Sequence, residues 1–202
     1  MPEFVQKIWA GHNVSPNGPV SPELLSVQME CRPVGTKAPE ILLTQTLDKL
    51  QLLSKECFGE YIFREHPMES KFLVNIHRFH SVDLQGACQL CKEIYRLVIE
   101  RLNIALLKRL TPTADDKLGS IKRLEKILDQ YGKNGKEIAK ALVGIYELRH
   151  ADAHLPSGDL RHALDLLGVE MQSNFIDQGK TIIRAAAMTI EKIAETIRRG
   201  IS

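Results

Sequence analysis

The sequence predicts an all-α fold, a bundle of about five to six helices behind an irregular N-terminal arm. From Ala38 onward, apolar residues recur at helical spacing between capping and helix-breaking residues. Six of the nine prolines lie within residues 2–39, where they disfavour long helices. A chain of 202 residues with 44% hydrophobic content can also bury a full core. We therefore predict an arm, or the remnant of a preceding domain, at residues 1–38 and a helical domain at residues 39–202.

The arm is expected to contain little regular structure. The alternation of Val27, Met29 and Cys31 permits one short strand before Pro33, which would be an isolated or edge element. The loop-like sequence after the initial Met-Pro-Glu-Phe suggests a piece of a longer protein, in which a sensor domain would precede this chain.

The first two predicted helices are long. One runs from Glu40 to Phe58 and stops at Gly59. The next begins at an N-cap, Ser81, and reaches Leu110 before a Thr-Pro pair ends it. At 1.5 Å per residue it would be about 43 Å long. Its wide apolar stripe indicates neighbours on several sides, so we expect it to be the spine of the bundle. The stripe consists of Leu84, Cys88, Cys91, Ile94, Tyr95, Val98, Leu102, Ala105 and Leu106.

Four further helices complete the predicted bundle. Thr113 and Asp116 resemble a capping box for a helix that runs towards Gly132. The later helices are expected from Lys136 to Arg149, from Ser157 to Gly168, and from Ser173 or Asp177 to about Arg199. The apolar stripe of the last helix predicts packing against another helix, in the same chain or in a partner. That stripe consists of Ile183, Ala186, Ile190, Ile193 and Ile197.

Composition limits the class of protein. The four cysteines form no disulfide framework and the N-terminus has no secretion signal, which predicts the reducing cytoplasm. No stretch approaches the roughly 20 apolar residues of a membrane span, so we expect no membrane partner. A formal net charge of +2 is too small to indicate nucleic-acid binding by itself. Any contact with RNA must therefore come from a local patch.

The most informative segment lies where the helix from Lys136 ends, and it contains Arg149, His150, Asp152 and His154. A guanidinium can bind a phosphate bidentately. Histidine, with an ordinary pKa of about 6.5, can transfer protons near neutral pH. For this composition, Arg-x-x-x-x-His is expected by chance about 0.4 times, and about 0.05 times with Asn, Asp or His after the arginine. It occurs once, with His150 in that position.

The geometry of the segment makes a further prediction. Arg149 and His154 would lie about 140° apart on an unbroken helix and could not easily meet at one phosphate. Pro156 disfavours helical conformation at Leu155. We therefore expect Arg149 at the end of the helix and His154 in the turn that follows.

The motif Arg149-His150-Ala151-Asp152-Ala153-His154 resembles the Arg-polar-x-x-x-His signature of the HEPN superfamily, all-α proteins prominent in prokaryotic toxin and antiphage systems. The resemblance implies a metal-independent endoribonuclease that cleaves single-stranded RNA without a cofactor. By position, Arg149 and His154 match the catalytic pair and His150 the intervening polar residue. Some toxin members continue with a tyrosine where this chain has Pro156, so the resemblance does not extend to that subgroup. An antitoxin is a further partner that the resemblance implies.

The chemistry predicts a homodimer independently. Cleavage of RNA by its own 2′-hydroxyl requires a base for that hydroxyl, an acid for the leaving 5′-oxygen and positive charge near the phosphorus. One arginine and one motif histidine do not supply all three. A two-fold axis would bring two motifs together in a composite site. Within each motif, His150 and Asp152 are expected to support the site or contact the substrate.

Three alternatives remain open at the motif. Arg149 and Asp152 could form an i,i+3 ion pair on a surface helix, with two solvated histidines beside it. His150 and His154 could bind a metal ion with Asp152 or Asp159, although the glutamate of a zinc hydrolase is missing. The chain could also be a catalytically inactive HEPN-like module for dimerisation or RNA binding.

Other candidate residues favour structural interpretations. Cys88 and Cys91 lie within a predicted helix and are expected to be buried thiols. His77 and His80 are expected to be ordinary loop histidines, and Arg161 and His162 to be surface residues unless they reach the substrate. A further group of six basic residues could form an RNA-facing surface. The acidic residues interleaved with them also favour a mixed, solvated face. The group consists of Lys108, Arg109, Lys117, Lys122, Arg123 and Lys126.

Overall fold

The structure is a computed structural model that describes residues 2–12, 26–27, 29–31, 37–149 and 157–201. Within these ranges the secondary structure is helical, apart from an isolated antiparallel bridge between Phe63 and Leu102. The predicted all-α class is therefore confirmed. Contacts divide the chain into two compact units, residues 1–37 and residues 38–202.

The first unit contains a helix that the sequence did not predict. Helix α1, Glu3–His12, begins directly after Pro2, whose carbonyl accepts bonds from the N–H groups of Val5 and Gln6. A helix fits here because no proline lies between Pro2 and the end of α1. The predicted strand is wrong in the part that the structure describes. Residues 29–31 form a turn and a bend, and Cys31 has a left-handed φ of 52°, which is incompatible with an extended strand.

The second unit contains eight helices among its described residues. They are α2 (Pro39–Phe58), α3 (Glu69–Asn75), α4 (Leu84–Ile94), α5 (Ile104–Leu110), α6 (Ser120–Gln130), α7 (Gly135–Leu148), α8 (Ser157–Leu167) and α9 (Phe175–Ile201). A 3-10 turn covers Arg78–His80 and a π-helical turn covers Tyr95–Ile99. The glycines predicted to end three helices, Gly59, Gly132 and Gly168, all have the left-handed conformation that favours this residue.

The predicted spine helix from Ser81 to Leu110 is divided, which corrects the sequence analysis. Its N-cap is Asp83, whose carboxylate accepts the Gly86 N–H at 2.7 Å. After the π turn, residues 101–103 leave the helix and pair with residues 62–64, since the Asn103 N–H donates to Ile62 O at 2.8 Å. Asn103 then caps α5. Helical periodicity does not reveal this interruption, because the apolar spacing continues across it.

Helix α6 begins later than predicted, because a buried arginine fixes the segment before it. The predicted capping box at Thr113 is wrong, and α6 begins at Ser120. Arg123 is 1% exposed. Its guanidinium donates to the carbonyls of Asp115 at 2.7 Å and Leu118 at 3.2 Å. These bonds hold the loop in a non-helical course.

Helix α9 is packed within its own chain. It packs mainly against α2 and also touches α4 and α7. Its first turn is capped by Asn174, whose side-chain oxygen accepts the Asp177 N–H at 2.9 Å. The stripe that was predicted for the last helix is buried throughout, in Ile183, Ala186, Ile190, Ile193 and Ile197. This stripe is therefore occupied by the same chain and does not offer an apolar face to a partner.

Candidate functional site at the end of helix α7

Helix α7 carries the candidate site at its C-terminal end. The Asn134 side chain caps its start by accepting the Glu137 N–H at 3.0 Å. Leu142, Ile145 and Leu148 anchor the helix in the core. Helix α7 ends at Leu148, and Arg149 follows as the C-cap with its N–H bonded to Ile145 O. The predicted position of Arg149 at a helix end is confirmed, and a cation there complements the helix dipole.

Two tyrosines fix the position of the Arg149 guanidinium. Its carbon Cζ lies 3.6 Å from the ring centroid of Tyr95 and 4.1 Å from that of Tyr146. The two rings meet edge to face, with centroids 6.0 Å apart and an interplanar angle of 63°. A cation–π contact holds a guanidinium without a hydrogen bond to the ring. The two rings therefore fix where this cation lies at the end of α7.

The two tyrosines reach Arg149 from different elements. Tyr146 lies three residues before Arg149, which places the two side chains on neighbouring positions of the α7 surface. Tyr95 opens the π turn, in which the Glu100 N–H bonds to the Tyr95 carbonyl. Such turns within helices often occur at functional sites. Sequence analysis assigned Tyr95 to the core and did not single out Tyr146. The spacing of Tyr146 from Arg149 was a signal that could have identified it.

A groove of about 320 Å³ lies beside these tyrosines. It is bounded by the π turn, the start of α6 and the outer face of α7. Its walls are mainly apolar or aromatic, contributed by Tyr95, Ile99, Ile121, Val143 and Tyr146. The same two rings therefore contact Arg149 and line the groove.

The remaining predicted site residues, His150, Asp152 and His154, lie outside the described residues. Their meeting with Arg149, the alternative Arg149–Asp152 ion pair and the alternative metal site thus stay predictions. Asp159, the other possible metal ligand, is exposed on α8. Among the described residues, no three histidine, cysteine or acidic side chains lie close enough together to bind a metal ion.

The possible RNA-facing surface is a mixed face in which three of the exposed cations have acidic partners. Lys108 pairs with Asp116 at 3.1 Å, and Lys122 pairs with Glu125 at 2.8 Å. Arg109 pairs with Glu60, and Arg123 is buried. Acidic neighbours therefore offset the charge of Lys108, Arg109 and Lys122, and burial removes Arg123 from the surface.

The other candidates have structural surroundings. Cys88 and Cys91 are buried, and burial, followed by the effect of Cys88, raises the pKa of Cys91. His77 accepts the N–H of Phe79 through Nδ1, and the His80 ring contacts the Asn75 carbonyl. The predicted buried thiols are confirmed.

Arg161 and His162 are exposed on α8. This exposure agrees with their interpretation as surface residues.

No protein-family model, curated protein or solved structure matches this chain. None of the helices in the described ranges has the length and apolar character needed to cross a membrane. The structure thus defines a helical bundle with an aromatic-bound arginine at the end of α7, and the resemblance to the HEPN superfamily depends on the motif alone.

Proposed function

We propose that this protein is a metal-independent endoribonuclease that cleaves single-stranded RNA, with Arg149 binding the scissile phosphate. One observation supports the proposal most strongly. Arg149, the first residue of the predicted motif, lies at a helix end, and its guanidinium contacts the rings of Tyr95 and Tyr146. A positioned guanidinium can stabilise charge on a phosphate without reorganising during the reaction.

The proposed reaction uses the 2′-hydroxyl of the RNA as the nucleophile. A base removes its proton, the 2′-oxygen attacks phosphorus, and the bond to the 5′-oxygen breaks as an acid protonates that leaving group. The products are a 2′,3′-cyclic phosphate and a 5′-hydroxyl. We assign the proton transfers to His154 of two subunits, charge stabilisation to Arg149, and support of the site to His150 and Asp152. A role in prokaryotic toxin or antiphage systems, with an antitoxin or a sensor domain as partner, rests on the HEPN resemblance.

The proposed homodimer must use a surface other than the apolar stripe of α9, since that stripe packs within the chain. A composite site requires the C-terminal ends of the two α7 helices to face each other across the two-fold axis. Sedimentation of the active protein tests this arrangement. A fully active monomer would contradict it.

The second candidate is an inactive HEPN-like module that binds RNA or dimerises. The contact of Arg149 with two tyrosines favours this candidate too, because it gives the arginine a stabilising role that needs no substrate. If the inactive module binds RNA, both candidates predict that Arg149 contacts RNA phosphate. They differ in whether the RNA is cut.

The deciding experiment incubates labelled single-stranded RNA with the purified protein in EDTA. We expect cleavage to fall by roughly 10²- to 10³-fold in Arg149→Ala, the loss typical of one transition-state donor. The cleavage activity of His154→Ala should fall by at least the same factor. Arg149→Lys should recover only part of the activity, because lysine keeps the charge and loses the bidentate fork.

Arg161→Ala and His162→Ala are matched controls, since they remove the same side chains from exposed positions on α8. Both should cleave like the wild type. Intact RNA in every reaction, with binding weakened only in Arg149→Ala, would support the inactive module. Cleavage only after metal addition would instead support the metal site.

A further inference from the structure

The groove beside Arg149 has walls that suit a flat, uncharged ligand. Of its charged lining residues, Lys122 is paired with Glu125 of its own helix, and Glu147 contributes a carboxylate that disfavours an anion. The remaining walls are mainly apolar and aromatic. Its volume of about 320 Å³ falls at the lower end of small-molecule sites, which span roughly 300–1,000 Å³. The groove therefore fits a small aromatic ring and does not fit a phosphate.

The groove is also continuous with the proposed phosphate site. Tyr95 and Tyr146 line it, and the same rings lie 3.6 and 4.1 Å from the Arg149 guanidinium carbon. Tyr146 is 44% exposed, so part of its ring is open to a ligand. A ligand that combines an anion with an aromatic ring would contact Arg149 and the groove at once. A nucleotide has this combination.

We propose that the groove binds an unpaired RNA base by stacking on Tyr146, next to the phosphate bound by Arg149. The inference rests on the proposed function and deepens it, since it names the part of the substrate that the second half of the site recognises. A base in a duplex is stacked between its neighbours and paired at its edge, so it cannot enter the groove. The groove thus gives a physical reason for preferring single-stranded RNA. Stacking on an aromatic side chain tolerates every base, so a broad sequence preference is expected.

The test compares two non-cleavable ligands with equal numbers of phosphates. One is a short 2′-O-methyl oligoadenylate, and the other is an oligomer of the same length without bases. Wild-type protein should bind the oligoadenylate at least about tenfold more tightly, as expected for one stacked base. Tyr146→Leu should remove most of this ratio, because it keeps an apolar side chain but no ring. Tyr146→Phe should keep the ratio.

Tyr61→Leu is the matched control. Tyr61 is 43% exposed and also lies near a cation, with the Lys55 ammonium 5.2 Å from its ring centroid, but it does not line the groove. Its replacement should leave the ratio unchanged. Equal binding of both ligands by the wild type, or a ratio unaffected by Tyr146→Leu, would overturn the base site.

The outcomes separate this inference from the proposed nuclease. If the protein cleaves RNA but binds the two ligands equally, the proposed base site is wrong and the proposed nuclease activity is supported. If the protein prefers the oligoadenylate tenfold, if this preference depends on Tyr146, and if RNA stays intact, the base site is supported and the nuclease proposal is wrong. If the protein neither cleaves RNA nor prefers the oligoadenylate, both the nuclease and the base site are wrong. If Tyr146→Leu dissociates a dimer and leaves the ratio unchanged, the groove is an interface between copies and the base site is wrong.

Discussion

Arg123 and Arg149 belong to the same helical unit and are held in opposite ways. Arg123 is 1% exposed and points its N–H groups inward, at the carbonyls of Asp115 and Leu118 and at the hydroxyl of Thr111. A buried cation is tolerated when its donors are satisfied in this way. The bonds of Arg123 thereby fix the loop that leads into α6.

Arg149 is only partly buried, and the rings of Tyr95 and Tyr146 contact its guanidinium. This contact fixes the position of the cation. It involves two side chains, whereas Arg123 bonds to backbone carbonyls. Residue type and position on a helix therefore do not distinguish an arginine buried among carbonyls from a partly exposed arginine beside aromatic rings. The groups that contact the guanidinium do distinguish them.

The largest effect is expected from replacing the buried arginine. Arg123→Met fills a similar volume but leaves two carbonyls and a hydroxyl without their donor. We expect the free energy of unfolding to fall by about 2–4 kcal/mol, measured by urea denaturation. Lys126→Met, on the exposed face of the same helix, should change it by about 0.5 kcal/mol or less. A loss for Arg123→Met as small as that of the control would show that water replaces these bonds.

A smaller effect on stability is expected at Arg149. Arg149→Met should lower the free energy of unfolding by about 1 kcal/mol, since exposed cation–π contacts contribute roughly 0.5–1 kcal/mol each. A double-mutant cycle with Tyr146→Leu should give a coupling energy of about 0.5 kcal/mol between the two side chains. A stability loss equal to that of Arg123→Met would reverse the comparison and make Arg149 a structural residue. Urea denaturation of the four proteins in the cycle supplies both numbers.

The contrast between the two arginines also shows what the sequence could predict. Helix ends at Gly59, Gly132 and Gly168 follow from local chemistry, because each glycine adopts a left-handed conformation that other residues resist. The position of Arg149 at a helix end followed from the proline downstream in the same way. Local signals were therefore sufficient to predict the fold class and the position of Arg149 at a helix end.

Features that depend on distant contacts were missed. The break in the predicted spine helix depends on pairing of residues 101–103 with residues 62–64, which lie nearly 40 residues earlier. The late start of α6 depends on the bonds of Arg123, a residue that the sequence analysis placed in a possible RNA-facing surface. Tyr95 reaches Arg149 through the packing of α4 and the π turn against α7. Periodicity describes one helix at a time and does not contain these relations.

The smallest effect is expected from the carboxylate nearest to Arg123. Asp116 Oδ1 lies 3.9 Å from the Arg123 guanidinium and 3.1 Å from the Lys108 ammonium, and the aspartate side chain is 89% exposed. A hydrogen bond from Lys108, with the charge of Lys108 and a weaker effect of Arg123, lowers the pKa of Asp116 below its ordinary 3.8. Such a carboxylate stabilises the fold above pH 3.8, and its contribution is lost as the pH falls through the lowered pKa.

Asp116→Asn should therefore lower the unfolding midpoint slightly at neutral pH, and the difference from the wild type should vanish in acid below the lowered pKa. Solvent screening keeps an exposed pair weak, so most of the stabilisation around Arg123 should come from its bonds to carbonyls and survive this change. Asp115→Asn is the control, because it alters the neighbouring carboxylate and keeps the backbone carbonyl that Arg123 uses. If Asp116→Asn lowered stability nearly as much as Arg123→Met, the charge of Asp116 would be what holds the buried arginine. The proposed distinction between an arginine held by backbone carbonyls and one held by aromatic faces would then have to be redrawn.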